Sequence, residues 1–518
     1  MYHRRFTPEK IQALNRNEIF VFGSNLAGAH GGGAARIAVN CFGAIWGQGV
    51  GLQGQCYAIP TMHGGVETIQ PYVDEFIEFA KRHTELTFLV TRIGCGIAGF
   101  KDRDIAPLFK EALKIENIIL PKSFVDCITK HRISDYICGC LMAGAAGDAL
   151  GYEVEFMSRK AIISRFGEQG ITKFALDSKG KALISDDTQM TLFTANGLLN
   201  ATHSRLDQID SVIRAYIDWY YTQIGRKDFI KSCWISGIDT LHSLRAPGNT
   251  CLSALKAITL GSEPENNSKG CGGVMRVAPV GLLAISQLVF HEKMWKDGDI
   301  FKLGAECAKI THKHPAGWLS AGLFSQIIYE ILDRSMLKKI DQMEFEHIIG
   351  TACHYMIHYY NALQEYIYPL QTMLFKALDL ARQDISDSEA ISQLGEGWTG
   401  DEALAIGIYC ASRHFENLEE AIIASANHDG DSDSTGSICG NIMGAIYGYE
   451  YIKKRNIFCP HGRELEDTLE LSEIILALAD DLSTGGIFNE GVDTPEKIQR
   501  YERYCEMKPT GIHRQSNL

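Results

Sequence analysis

Long uninterrupted apolar runs are missing from the 518 residues. The longest apolar stretches are broken well short of the roughly 20 residues that a membrane-spanning helix requires, so no transmembrane span and no membrane partner are expected. The charged start MYHRRFTPEK is not followed by an apolar segment with a small-residue cleavage site. A secretory leader is therefore not expected, and the cytoplasm is the expected compartment. Paired cysteines are lacking as well: the 15 Cys are an odd number with no CxxC among them, a pattern that suits buried reduced thiols better than a disulfide framework or a zinc ribbon. Positive charge is in deficit, with a formal net charge of −13, which disfavours long nucleic acids bound through their phosphates.

What is present divides in two. A chain of this length exceeds what one hydrophobic core organises. Residues 1–122 carry 13 Lys and Arg against 11 Asp and Glu, leaving 37 against 52 for the rest. The first part contains NEIFVFGSN from Asn17, a buried-strand pattern ending in turn residues, then 10 glycines between Gly23 and Gly54. A second strand pattern, LTFLVTRIG, leads into GCGIAGF, and the helical text YVDEFIEFAKRH lies between the two. Strands that deliver glycine loops predict a small α/β domain over 1–122 whose backbone N–H groups can approach a ligand. The pattern lapses over 123–133, read as a linker, and Ser134 with Asp135 offers a cap for a new helix. From 134 to 482 the text reads as helices, and 483–518 as a polar, peripheral tail.

Two helices carry small residues every fourth position: Gly139, Ala143, Gly147 and Gly151 on one, Gly436, Gly440, Gly444 and Gly448 on the other. Each glycine costs a helix about 1 kcal/mol, and close packing of two backbones is the compensation expected. Acidic motifs lie at the ends of such helices. Ser185-Asp186-Asp187-Thr188 precedes QMTLFTANGLL, Asp431-Ser432-Asp433-Ser434-Thr435 opens the second striped helix, and Asp148 and Glu155 end the first. Neighbouring aspartates at apolar helices repel and are costly to bury. Each motif alone reads as a helix cap or a solvated turn; two together, with adjoining hydroxyls, favour hard divalent cations such as Mg²⁺ or Mn²⁺.

These motifs, in order GCLMAGAAGDALGYEVEF, SDDTQM, GCGGVMRVAP, THKHPAGW, GWTGDEALAIGIYC and HDGDSDSTGS, resemble the ADP-ribosylglycohydrolase family, which includes the dinitrogenase-reductase-activating glycohydrolases. The resemblance covers about 134–480 and implies an all-α domain with two Mg²⁺ or Mn²⁺ ions. By position, Ser185, Asp186 and Asp187 would hold one ion, Asp431 and Ser434 the other, with Asp433 shared. Glu155, with Glu153 as the alternative, would gate the site or position water. The implied catalytic set is Glu155, Asp187, Asp431 and Asp433. Gly272, Gly273, Met275 and Arg276 match a loop lining the ADP-ribose pocket, although a glycine turn with a surface arginine fits Arg276 equally. His312 reads as structural or substrate-contacting, and Trp398 as a pocket wall or core.

In the first domain, FGSNLAGAHGGGAA and RIGCGIAGF resemble the ligand loop and the diphosphate loop of a macrodomain. The resemblance implies ADP-ribose binding at Asn25, Gly32, Gly33, Gly94, Gly96 and Ile97. Neither an acidic residue for adenine beyond Glu18 nor a catalytic lysine is evident there. The expected function is removal of ADP-ribose from a modified protein, arginine-linked by likeness. The alternatives are a non-catalytic reader or scavenger of ADP-ribose, and a hydrolase of modified small molecules or nucleic-acid ends.

Overall fold

Side chains of β1, Glu18–Ser24, point alternately to two faces, and both faces are buried. Ile19 and Val21 join a cluster with Tyr57, Phe76, Phe88 and Val90, whereas Phe20 and Phe22 join another with Ala38, Phe42, Cys56 and Ala58. That is why the strand reads as the unbroken apolar run IFVF. The computed structural model describes residues 5–336, 338–487 and 495–505. With β2 (Gly51–Gln53), β3 (Cys56–Pro60), β4 (Thr87–Val90) and β5 (Ile118–Ile119), the sheet takes the order β2–β3–β1–β4–β5. β1 is parallel to β3 and β4, with Val21 opposite both Tyr57 and Val90, and β2 is antiparallel to β3. Helix α1, Gly33–Phe42, covers one face with Ala38 and Phe42, and α2, Val66–Arg82, covers the other with Ile69, Val73 and Phe76. A short helix α3, Asp102–Ile105, follows β4.

The chain divides into two compact units between Arg132 and Ile133. The segment 123–133, read above as a linker, is helical: α4 runs without interruption over Lys122–Tyr152. Phe124, Val125 and Ile128 belong to the core of the first unit, and Ile133 and Ile137 to that of the second. Helical spacing of apolar residues persists through polar text, which is why the lapse was only apparent. Ser134 and Asp135 consequently lie inside α4, and Asp135 accepts the Glu450 N–H at 2.8 Å instead of capping its own helix.

The second unit is built from helices, among them α5, Arg159–Phe166, and α6, Asp186–Ser204. The glycine-striped helices meet backbone to backbone and antiparallel, Gly139 against Gly444, Ala143 against Gly440, Gly147 against Gly436 and Gly151 against Ser432. The stretch Cys271–His291 is long and apolar enough to cross a membrane, contrary to the expectation from interrupted runs, but 83% of its apolar window is buried within the protein. It serves as core. The tail expected at 483–518 is in part integrated: in the helix Pro495–Cys505, Tyr504 is buried and donates to Asp481 at 2.7 Å. Residues 488–494 and 506–518 lie outside the described residues.

Candidate active site

Three stretches of the second unit deliver acidic side chains to one place. Asp148 is carried inward by the last turns of α4, and both its oxygens accept the Ser185 N–H, at 3.0 and 3.1 Å. Its Oδ2 also accepts the N–H and the hydroxyl of Thr188. Ser185 is the N-cap of α6, its hydroxyl accepting from Asp187 N at 3.1 Å. Asp186 accepts from Gly248 N at 3.3 Å. Asp431 caps the helix Ser432–Tyr447, accepting Ser434 N at 3.2 Å, and Asp433 accepts the same N–H at 3.0 Å. Helix N-termini thus aim their dipoles and free N–H groups at the two aspartate pairs.

All six carboxyls, Asp148, Glu155, Asp186, Asp187, Asp431 and Asp433, are buried. Among the described residues none of them forms an ion pair; the nearby Arg245 is engaged with Glu470 at 2.7 Å. Burial raises every one of them above the usual carboxylate range, and for Asp148, Glu155, Asp186, Asp187 and Asp431 the neighbouring Asp433 charge adds to it. Asp148 rises to about 7 and Glu155 to about 10. In Asp433 burial is opposed by hydrogen bonds with Asp431, Ser434 and Ser185. These mutual effects place Asp186 and Asp187 in one electrostatic cluster with Asp431 and Asp433.

Two buried oxygens, Asp187 Oδ2 and Glu155 Oε2, have no hydrogen-bond partner. An unpaired buried carboxylate oxygen costs on the order of 1–3 kcal/mol or more, so the cluster is built for something beyond its own hydrogen bonds. As the side chains stand, no group of three or more His, Cys, Asp or Glu among the described residues is arranged to hold an ion. The donor chemistry of carboxylates and hydroxyls without imidazole nevertheless suits a hard cation. Glu153, the alternative to Glu155, is turned to the surface and paired with Arg165.

Some expected pocket residues have other work. Arg276 is fully buried, not on the surface and not facing the carboxylates; it donates to Thr311 Oγ1 at 2.6 Å and Cys307 O at 3.2 Å and lies over the Tyr216 ring. Its two terminal nitrogens are thus bonded inside the core, while its Nε is buried without a partner. Met275 is buried and its carbonyl accepts from Thr191. His312 is buried with Thr311 Oγ1 at 2.9 Å, and burial lowers it to about 3, so it is neutral. It packs where a Cβ on Gly272 would lie 3.1 Å from its ring, while Gly273 is held against Ala308 and Gly317.

Sequence reasoning missed two neighbours of the site. Cys271 donates its thiol proton to Asp431 Oδ2 at 2.7 Å; a lone cysteine in a glycine loop carries no pattern that would signal this. Phe156, next to Glu155, stacks on Trp398 with ring centroids 6.1 Å apart, the two rings 75% and 39% exposed. Trp398 is therefore at the rim and not in the core. Its carbonyl accepts from Cys271 N at 3.2 Å.

The first unit holds a separate cavity of about 1070 Å³ whose walls include Asn25, Gly32, Gly33, Gly94, Gly96 and Ile97. Gly33 and Gly94 have left-handed backbones, with φ of 55° and 72°. The Ile97 side chain reaches so near Gly32 that a Cβ there would lie 2.7 Å from its Cδ1. The Asn25 amide is spent on its own loop, exchanging bonds with Ala29 O and N at 2.9 and 3.0 Å. Glu18 is not in this wall; it is buried against Arg5 and Asn15. Not foreseen was the two-point pair Arg92–Asp102, at 2.9 and 2.8 Å, on the same wall.

Residues 129–487 match the ADP-ribosylglycohydrolase family model. ADP-ribosylhydrolase ARH1 of Dictyostelium discoideum is 24% identical over 70% of this chain and 99% of its own length. ADP-ribosylhydrolase ARH3 of Mus musculus is 25% identical over 61% of this chain and 84% of its own. The ADP-ribosyl-[dinitrogen reductase] glycohydrolase of Rhodospirillum rubrum is 21% identical over 63% of this chain and 90% of its own. With the family model covering more than half of its residues, the chain belongs to the ADP-ribosylglycohydrolases, enzymes that hydrolyse a glycosidic bond.

Proposed function

We propose that the second unit is a divalent-metal-dependent hydrolase releasing ADP-ribose from a modified protein, with arginine-linked ADP-ribose the favoured substrate, and that the first unit binds ADP-ribose. The observation that carries this reading is the gathering of six buried carboxyls without an ion pair, two of their oxygens being orphaned. Names of the relatives support the ADP-ribosyl chemistry, and the dinitrogen reductase glycohydrolase supports a protein substrate. Ser185, Asp186 and Asp187 would hold one Mg²⁺ or Mn²⁺, Asp431 and Ser434 the other, with Asp433 between them. When bound, such ions supply Lewis acidity and offset negative charge at the ribose.

The chain's own residues do the rest. Asp148 fixes the start of α6 through Ser185 and Thr188, so Asp186 and Asp187 are presented in one orientation. Burial and the aspartates around it raise the Glu155 carboxyl, which as the acid can give its proton to the departing acceptor and as the base can take one from the attacking water. The Phe156–Trp398 stack forms part of the rim through which the substrate enters. In the first unit, the N–H groups of the loops at Gly32–Gly33 and Gly94–Gly96 suit a pyrophosphate, and a tethered binding site raises the local concentration of modified substrate. That unit reads as a binding site without turnover, since the carboxylate–arginine pair on the cavity wall, Arg92–Asp102, is mutually satisfied.

A release assay tests the proposal. Arginine-, serine- and glutamate-linked ADP-ribosyl proteins are each incubated with Mg²⁺, Mn²⁺ or chelator, and free ADP-ribose is measured. Release from the arginine-linked protein in the presence of either ion is expected. Undiminished release in chelator would remove the metal from the mechanism.

A further inference from the structure

A histidine beside the aspartates has no part in the chemistry above. His428 lies three residues before Asp431 and is 2% exposed, and a buried imidazole needs hydrogen-bond partners to offset its desolvation. It has two. Asp429 O accepts from Nδ1 at 2.8 Å, and Nε2 shares a hydrogen bond of 2.8 Å with Thr435 Oγ1. Asp431 lies inside the span of chain that this second contact closes. The same Thr435 Oγ1 stands 2.8 Å from Asp431 O and 2.7 Å from Ser425 O, in the preceding helix Leu418–Ala426. On its other side, the Asp431 N–H donates to Glu396 O at 2.8 Å. The surroundings leave no slack: a Cβ on Gly430 would lie 2.1 Å from Glu396 O, and one on Gly397 2.9 Å from Thr435 Cγ2.

We propose that His428 is a positioning residue, which together with Thr435 clamps the turn 428–435 and so fixes where the Asp431 carboxyl stands. The effect on turnover rests on the hydrolase reading; the clamp itself rests on the turn alone. A hydroxyl has one hydrogen and two lone pairs, so Thr435 Oγ1, set between two carbonyl oxygens, is held in one orientation only when a further group engages it. His428 Nε2 is that group. An apolar side chain of similar size would fill the space and leave the hydroxyl free to choose between Ser425 O and Asp431 O. The Asp431 side chain is bound at both oxygens, Oδ1 accepting the Ser434 N–H at 3.2 Å and Oδ2 the Cys271 thiol at 2.7 Å. A shift of its main chain therefore breaks these bonds or drags the carboxyl away from Asp433, and misplacement by about 1 Å at a reacting centre costs on the order of 100-fold in rate.

The test compares full-length chains: wild type, His428→Leu, Thr435→Val, the double variant and Thr435→Ser. One readout is hydrogen–deuterium exchange of peptides spanning 429–436, taken in chelator without substrate. The other is kcat and KM for release of ADP-ribose from an arginine-linked ADP-ribosyl protein with Mn²⁺. His428→Leu and Thr435→Val are each expected to exchange about tenfold faster over 429–436, with the helix Gln342–Tyr359 unchanged, and to lose about 10- to 100-fold in kcat with KM within about threefold. The double variant falls no further than the worse single one, because both changes remove the same contact. Thr435→Ser keeps the hydroxyl and stays within about threefold of wild type in kcat. Losses that add in the double variant would overturn the proposal, as would Thr435→Ser as impaired as Thr435→Val. Should His428→Leu not fold, His428→Phe, which keeps a ring and lacks its nitrogens, takes its place. Faster exchange with full kcat in both single variants removes the positioning role and leaves the hydrolase reading intact. Faster exchange with no release from any chain, wild type included, upholds the clamp and removes the hydrolase reading.

Discussion

A Cβ placed on Gly147 would lie 2.0 Å from the carbonyl oxygen of Gly436, and the next residue on one helix is Asp148 while Asp433 lies one turn before Gly436 on the other. Backbone contact between the two helices therefore sets the spacing of the carboxylate cluster. Gly147→Ala forces the helices apart, because the obstructing atom is backbone and cannot rotate away. Destabilisation of about 1–3 kcal/mol or more is expected from overpacking, together with weakened Mn²⁺ binding. The contrast is Gly350→Ala, in the helix Gln342–Tyr359, where an added Cβ meets nothing within 4 Å. That variant gains about 0.5–1 kcal/mol of helix propensity. Thermal denaturation of the two variants, with opposite signs, checks the argument.

Carboxyls that repel in the absence of an ion make two opposed demands on stability. Asp187→Asn and Asp433→Asn each replace a buried carboxyl that is costly to ionise there with a neutral amide, so without metal both variants are expected to melt at or above the wild-type temperature. Saturating Mg²⁺ or Mn²⁺ stabilises the wild type by an amount that grows with ion concentration over its Kd, about 2.7 kcal/mol at a hundredfold excess. The variants lose most of that gain and at least 100-fold in ADP-ribose release. Variants that unfold in chelator at much lower temperature than the wild type would contradict the repulsion argument.

Where a side chain's role is local, it could be read from the text. The every-fourth-residue glycines predicted a close helix pair, and the runs SDDT and DSDST predicted caps rich in carboxylate, because period and capping chemistry are properties of a few consecutive residues. Asp148 was seen as acidic but its task was hidden, since the N–H groups it holds belong to Ser185 and Thr188. Arg276 matched a pocket motif, yet its burial is set by Thr311, Cys307 and Tyr216, which no local pattern announces. The lapse in pattern at 123–133, a segment that is helical and holds the boundary between the two units, has a similar cause. Phe124, Val125 and Ile128 serve one core and Ile133 and Ile137 another, and the stripe looked broken because it changes partners.

The glycine loops of the first unit carry a prediction independent of the hydrolase. Gly33 has φ of 55° and lines the cavity, so Gly33→Val imposes both backbone strain and a branched side chain where a ligand's phosphates would approach. In the full chain carrying Asp187→Asn, calorimetric titration of ADP-ribose should show a binding phase that Gly33→Val weakens at least tenfold. A phase unaffected by Gly33→Val and by Gly94→Val would move ADP-ribose out of this cavity.

Asp218 offers a pH-dependent test of the second unit's core. Its Oδ2 accepts the N–H groups of Ser232 and Cys233 and the hydroxyl of Ser236, at 2.7, 2.9 and 2.7 Å. Burial outweighs these bonds and raises the carboxyl from its usual 3.8 to about 6. A folded-state value above the unfolded one means that the native chain binds the proton more tightly. The resulting stabilisation is complete below about pH 4 and is lost as the pH rises through 6, a change of about 3 kcal/mol. Asp218→Asn keeps an acceptor oxygen and stays neutral throughout, so it should match the wild type near pH 4 and exceed it at pH 7. Both chains share the six carboxyls of the active site, whose own titration cancels in the difference. Urea unfolding of the pair across pH 4–7 measures it, and a stability difference independent of pH would show that Asp218 is ionised in the folded state over the whole range.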